Sequence, residues 1–183
     1  KINLETLNPF KEAEKDEGQR GSIGFVRGFL GGVAVDEPRA ALIGRDILSS
    51  GGSAADVAVA VALTLAVTKP ASASLGGGGV CLVHDALSNT TETLDFQAGI
   101  PKTIAPGAVR PSAIPGTLRG LALLHAKYGR LEWNQLVSPA ENLARFGNPV
   151  SRATASDLAR LPRAVLDDPE FRRIFTNPKN GRL

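Results

Sequence analysis

Few side chains in this 183-residue sequence have the type and spacing that chemistry requires. Its two histidines, His84 and His125, stand far apart. Neither has a cysteine, histidine or carboxylate at a metal-ligand spacing, so a zinc site is not expected. His84 ends a predicted strand, and His125 falls on a predicted helix with Leu121 and Leu124. A packed or surface imidazole is the simpler reading of both than a catalytic base. No G-x-S-x-G elbow and no S-x-x-K pair is present. The carboxylates show no paired arrangement suited to acid–base work. The lone Cys81 cannot form an internal disulfide and reads as a small buried hydrophobe in a strand. Asn89-Thr90-Thr91 matches a glycosylation acceptor pattern, which matters only in a eukaryotic secretory setting. Read by residue type alone, the chain holds no self-sufficient active site.

The densest feature is Ser74-Leu75-Gly76-Gly77-Gly78-Gly79-Val80-Cys81-Leu82-Val83. Glycine lets the backbone take positive φ and lets another segment or a ligand approach closely. A phosphate loop needs Lys followed by Ser or Thr after its glycines, and a dinucleotide fingerprint opens a helix. Here no such lysine follows, and the next segment is strand-like. The run therefore predicts a buried junction where a strand begins and elements pack closely.

The length favours one domain, and 43% hydrophobic with 21% charged residues is a globular composition. The longest apolar stretch, Val57 to Val67, is too short to span a bilayer. The net charge of +3 is uneven, with 8 basic against 12 acidic residues up to position 101 and 13 against 6 beyond it. The arginines of the basic half are scattered along helical patterns with little aromatic interleaving. They read as solvated helix faces rather than a nucleic-acid surface.

The elements follow from punctuation. Residues 1–20 form a polar lead-in, and Phe25 to Val35 suggests a strand and turn. A helix starts near Pro38 and stops at Gly51-Gly52. The next begins at once, with Ser53 as N-cap and Asp56 three residues on. Its Val57–Leu63 run is apolar on every side, which predicts burial on all sides, and Lys69-Pro70 ends it. A hairpin is expected from Val80–His84 and Thr93–Phe96, with the turn at Asp85 to Thr91. Residues 97–115 carry four prolines and read as a loop, followed by helices near 116–127, 132–146, 153–161 and 168–175.

Six segments in order carry a resemblance. They are Gly32-Val33-Ala34 with Glu37-Pro38, Gly51-Gly52-Ser53-Ala54-Ala55-Asp56-Val57-Ala58, Ser74-Leu75-Gly76-Gly77-Gly78-Gly79, Leu94-Asp95-Phe96, Ile114-Pro115-Gly116-Thr117, and Tyr128-Gly129-Arg130-Leu131-Glu132-Trp133. Together they resemble the large-subunit start of the γ-glutamyltranspeptidase family over roughly residues 31–150. The resemblance implies an α+β fold, the αββα sandwich of the N-terminal-nucleophile hydrolases, completed by a second, small subunit. Residues 21–183 would then be part of the large subunit of that one domain. It further implies a precursor that cleaves itself, and acyl transfer from γ-glutamyl or related amides through an acyl-enzyme. The threonine freed at the start of the small subunit would be the nucleophile. Neither metal nor cofactor is implied. A periplasmic or secreted location is expected from the family and the missing initiator Met.

Two departures qualify the resemblance. Residues 1–183 hold no counterpart of the family's catalytic subunit, and Thr90-Thr91 lie inside the expected hairpin turn, so they are not expected to be the freed nucleophile. The expectation is a short large subunit whose partner is a separate chain, rather than a fragment. Family members also carry an arginine directly after Leu-Asp-Phe that binds the donor's α-carboxylate, and Gln97 stands there. An amide makes at most neutral hydrogen bonds where a guanidinium grips a carboxylate bidentately. Arg110, in the following loop, is the candidate to supply that charge from another direction. The expected activity is an amidase or acylase with weak selection for γ-glutamyl donors. The alternative is a binding protein that kept the fold and lost turnover.

Overall fold

The chain begins its first helix where a buried carboxylate caps it. Glu37 accepts a bond from the Ala40 N–H at 2.9 Å, and Pro38 occupies the first turn of α1, Pro38–Ser49. At the other end of the helix, past the C-cap Ser50, Gly51 takes φ +87, a conformation that disfavours any side chain. α2, Ala54–Thr68, opens on a reciprocal capping box between Ser53 and Asp56. We describe here a computed structural model, in which residues 31–103, 106–107, 113–177 and 181 are described. The polar lead-in and residues 25–30 of the expected first strand lie outside them. The rest of that expectation fails, since 31–35 takes no regular structure.

Two strands follow, β1 (Val80–Asp85) and β2 (Thr90–Asp95), paired antiparallel with Val80 opposite Asp95 and Asp85 opposite Thr90. Then come α3 (Thr117–Tyr128), α4 (Trp133–Phe146), α5 (Arg152–Ala159), α6 (Arg163–Leu166) and α7 (Pro169–Phe175). From Val33 onward the chain forms one unit. α2 packs against α1, α3 and α4, and α3 leans on β2. Val59, Ala60 and Leu63 of α2 meet Leu121 and Leu124 of α3, Leu136 and Ala140 of α4, and Leu94 of β2 in the core. Cys81 and Val83 border that core while Val80 and Leu82 face outward, so the hairpin buries one face and exposes the other.

Several sequence expectations need correction. Thr90 and Thr91 belong to β2 rather than the turn. Asn89 turns the chain at φ 52, and the His84 ring nitrogen Nδ1 pairs with the Thr91 hydroxyl at 3.0 Å, which fits β-branched threonines in a ladder. α2 is not buried all round, since Ala58, Val61, Ala62, Leu65 and Ala66 are only half-buried. Cys81 is likewise half-buried, and burial pushes its thiol pKa up. The short α6 has no counterpart in the expected helices, because four residues carry too little periodicity to read.

The C-terminal end of α2 is tied to distant chain. Lys69 pairs with Asp36 before α1 and approaches Asp157 of α5 at 3.8 Å. The buried Thr154 hydroxyl donates to the Thr68 carbonyl at 2.7 Å, satisfying one of the orphan carbonyls at the helix end. Thr154→Val keeps the shape and removes that donor, so it should cost about 1–2 kcal/mol. The midpoint of chemical unfolding of the full-length protein reads the loss. An unchanged midpoint would show that the bond contributes nothing.

Candidate functional site

Position 97, where the family resemblance expects a donor contact, lies where three segments meet. Past Asp95 the antiparallel pairing runs one step further, with the Phe96 N–H donating to the Gly79 carbonyl at 2.9 Å. Gln97 follows directly, exposed, with its N–H held by the Asp95 carboxylate at 3.1 Å. The glycine strap before β1 crosses this segment. A Cβ placed on Gly78 would lie 2.4 Å from the Ala98 nitrogen, 2.5 Å from the Phe96 carbonyl oxygen and 2.6 Å from the Gln97 carbonyl carbon. No real Cβ sits that close to backbone, so only glycine fits.

The third segment is the start of α3. The N–H groups of Gly116 and Thr117 both donate to the Gly77 carbonyl, at 2.8 and 3.3 Å, and the Thr117 hydroxyl donates to the Ser74 carbonyl at 3.1 Å. The strap thus takes up N–H groups that the helix itself leaves unpaired. A Cβ on Gly116 would lie 2.1 Å from the Phe96 carbonyl oxygen. Residues 96–98 are therefore approached closely by bare backbone from two segments. The strap is used for close approach rather than for left-handed turns, because none of Gly76 to Gly79 has positive φ. Nor is it buried, since Gly76 and Gly78 are exposed.

The loop that carries Arg110 starts and ends beside this point. Gly99 and Ile114 form an isolated antiparallel bridge, with bonds of 3.1 and 2.8 Å. Arg110 itself lies outside the described residues.

A second polar cluster is buried where α2, α3 and α4 converge. The Asp56 carboxylate is fully buried and accepts from the Ser53 N–H at 2.8 Å, the Arg130 N–H at 2.9 Å and the Leu131 N–H at 3.3 Å. The Ser53 hydroxyl reaches both this carboxylate and the Tyr128 carbonyl. Desolvation raises the Asp56 pKa, but these bonds together outweigh it, and the net direction is below the ordinary 3.8. His125 Nε2 lies 2.8 Å from the Leu131 carbonyl oxygen, and its ring meets Trp133 edge-on. This cluster anchors the 128–133 turn around a fully buried carboxylate. Sequence reasoning read Asp56 only as a helix cap; its reach to Arg130 and Leu131 spans a separation that local pattern cannot show.

Among the described residues, no three His, Cys, Asp or Glu side chains converge as a metal site. None of the described helices is long and apolar enough to cross a membrane.

The family model described as gamma-glutamyltranspeptidase matches residues 40–183. The glutathione hydrolase proenzyme of Escherichia coli is 38% identical over 79% of this chain and 28% of its own length. Glutathione hydrolase 7 of Bos taurus is 37% identical over 79% of this chain and 23% of its own. The chain thus spans about a quarter of the length of these curated relatives. The crystal structure of Helicobacter pylori gamma-glutamyltranspeptidase superposes with a TM-score of 0.75 at 28% identity, over 86% of this chain and 49% of that one. The mixed helix-and-sheet architecture is that of the N-terminal-nucleophile hydrolases. With the family model spanning residues 40–183, the chain belongs to the γ-glutamyltranspeptidase family.

Proposed function

We propose that this chain is the non-nucleophilic part of a self-processing threonine acyltransferase or amidohydrolase, and that Gln97 faces the donor's acyl group. The carrying observation is the placement of Gln97: exposed at a strand end, with its main chain locked by Gly78 and Gly116. The partner is a small subunit that begins with the nucleophilic threonine and completes the sandwich as a heterodimer. The donor's amide carbonyl carbon is attacked by that threonine hydroxyl. The amine leaves with a proton, and water or a second amine then takes the acyl group from the ester. The setting that fits is periplasmic or secreted.

An amide at position 97 offers only neutral hydrogen bonds to an α-carboxylate, so donors with and without that carboxylate should be used at similar rates. The test is the full-length protein with γ-glutamyl-p-nitroanilide against 4-aminobutyryl-p-nitroanilide, which lacks the carboxylate. The expected kcat/KM ratio is within about ten-fold. A preference for the γ-glutamyl donor above about a hundred-fold would contradict weak selection. Arg110→Ala then tells whether Arg110 supplies the charge: if it does, the preference falls on substitution. Release from neither donor would favour the alternative of a binding protein without turnover, the second reading that the missing arginine admits.

A further inference from the structure

We propose that Gly120 and Phe96 form a positioning lock that fixes where residue 97 presents itself to the donor. The inference rests on the reading of Gln97 given above. A Cβ on Gly120 would lie 2.0 Å from Phe96 Cγ and 2.3 and 2.4 Å from its two Cδ atoms. Cγ is the pivot of the ring, so rotation about the Cβ–Cγ bond cannot relieve the overlap. The ring occupies a notch on α3 that exists only because residue 120 has no side chain. On its other side, a Cβ on Gly79 would meet ring atoms Cε2 and Cζ at 3.0 and 3.3 Å. Phe96 is thus held between the helix and the start of β1, one residue before Gln97.

Gly116 and Gly120 are four residues apart and share one helix face, so α3 lays a bare stripe along residues 96–97. The Phe96 carbonyl sits over Gly116 and its ring over Gly120. Two contacts on one rigid helix set both the height and the rotation of the peptide that carries Gln97. Dense packing alone would need only the ring. The additional clamp on the 96–98 backbone, by Gly78, over-determines where the exposed Gln97 side chain starts. A displacement of a contact group by a fraction of an ångström weakens binding without touching the nucleophile.

The test is a double-mutant cycle in the full-length protein, Phe96→Leu with Gln97→Ala, read as KM and kcat for γ-glutamyl-p-nitroanilide. Phe96→Leu keeps Cγ in the notch and removes the ring edge, so it perturbs the lock without forcing an overlap. We expect it to raise KM about 3–10-fold with kcat within about two-fold, and Gln97→Ala to raise KM by a similar factor. In the Gln97→Ala background, Phe96→Leu should change KM no further. Gly120→Ala should move KM in the same direction if it folds, and Phe96→Leu decides the matter if it does not. Independent factors in the cycle, or a fall in kcat at constant KM, would overturn the lock and reduce it to packing. An unchanged KM in Gln97→Ala would overturn the donor-contact reading itself, and the lock with it.

Discussion

Gln97→Arg should raise kcat/KM for γ-glutamyl-p-nitroanilide about two- to thirty-fold in the full-length protein. A charge-assisted contact to a carboxylate is worth about 1.5–3 kcal/mol where a neutral one is worth about 1, and a factor of ten costs about 1.4 kcal/mol. The main chain at 97 is fixed by Gly78, Gly116 and the bond to Asp95, so the substitution changes the side chain and little else. Gln97 itself is exposed rather than packed. The Asp95 carboxylate beside it competes for the new guanidinium, which limits the gain. The rise should be confined to donors that carry the α-carboxylate, with 4-aminobutyryl-p-nitroanilide unaffected. No rise with the γ-glutamyl donor would sink the assignment of position 97.

Asp56→Ala should destabilise the fold strongly, by about 3–5 kcal/mol. The substitution leaves the N–H groups of Ser53, Arg130 and Leu131 without their acceptor in a buried place, and it dissolves the capping box of α2. The denaturant midpoint of the full-length protein reads this loss. A cost under about 1 kcal/mol would mean that water reaches those groups. The pH dependence has a definite sign. The folded carboxyl titrates below its ordinary 3.8, so its contribution is complete above that pH and disappears as pH falls through and below it. Asp56→Asn removes the titration. Its stability deficit relative to the parent should therefore shrink as pH drops under 3.8. Other depressed carboxyls, such as Glu92 beside Lys127 and Tyr128, are common to both proteins and cancel in the difference.

How legible the molecule is depends on the range of each interaction. Ser53 and Asp56 are three residues apart, and their capping box stands in the sequence as it stands in the structure. Pro38, Gly51 and Gly147 mark helix ends by their own backbone chemistry, and the helices fall within a residue or two of where these put them. β2 was harder. Thr90 and Thr91 sit among turn-forming Ser88 and Asn89, and only their partners across the hairpin decide that they are strand. The glycine strap showed that something approaches closely; what approaches is Phe96, Gln97 and Ala98, which no local pattern names. One signal was available. Gly116 and Gly120 stand four apart on a predicted helix, a bare face that must meet another backbone or ring. The substitution of Gln97 was visible only against the family's pattern, because an exposed glutamine at a strand end carries no signature of its own.

The central claim is that this chain works beside a threonine released by self-cleavage. Intact mass with N-terminal sequencing of the full-length protein tests it most directly. The account predicts two polypeptides that co-purify, one containing residues 1–183 and the other beginning with Thr. A single uncut polypeptide, or a second chain that starts with any other residue, would contradict it.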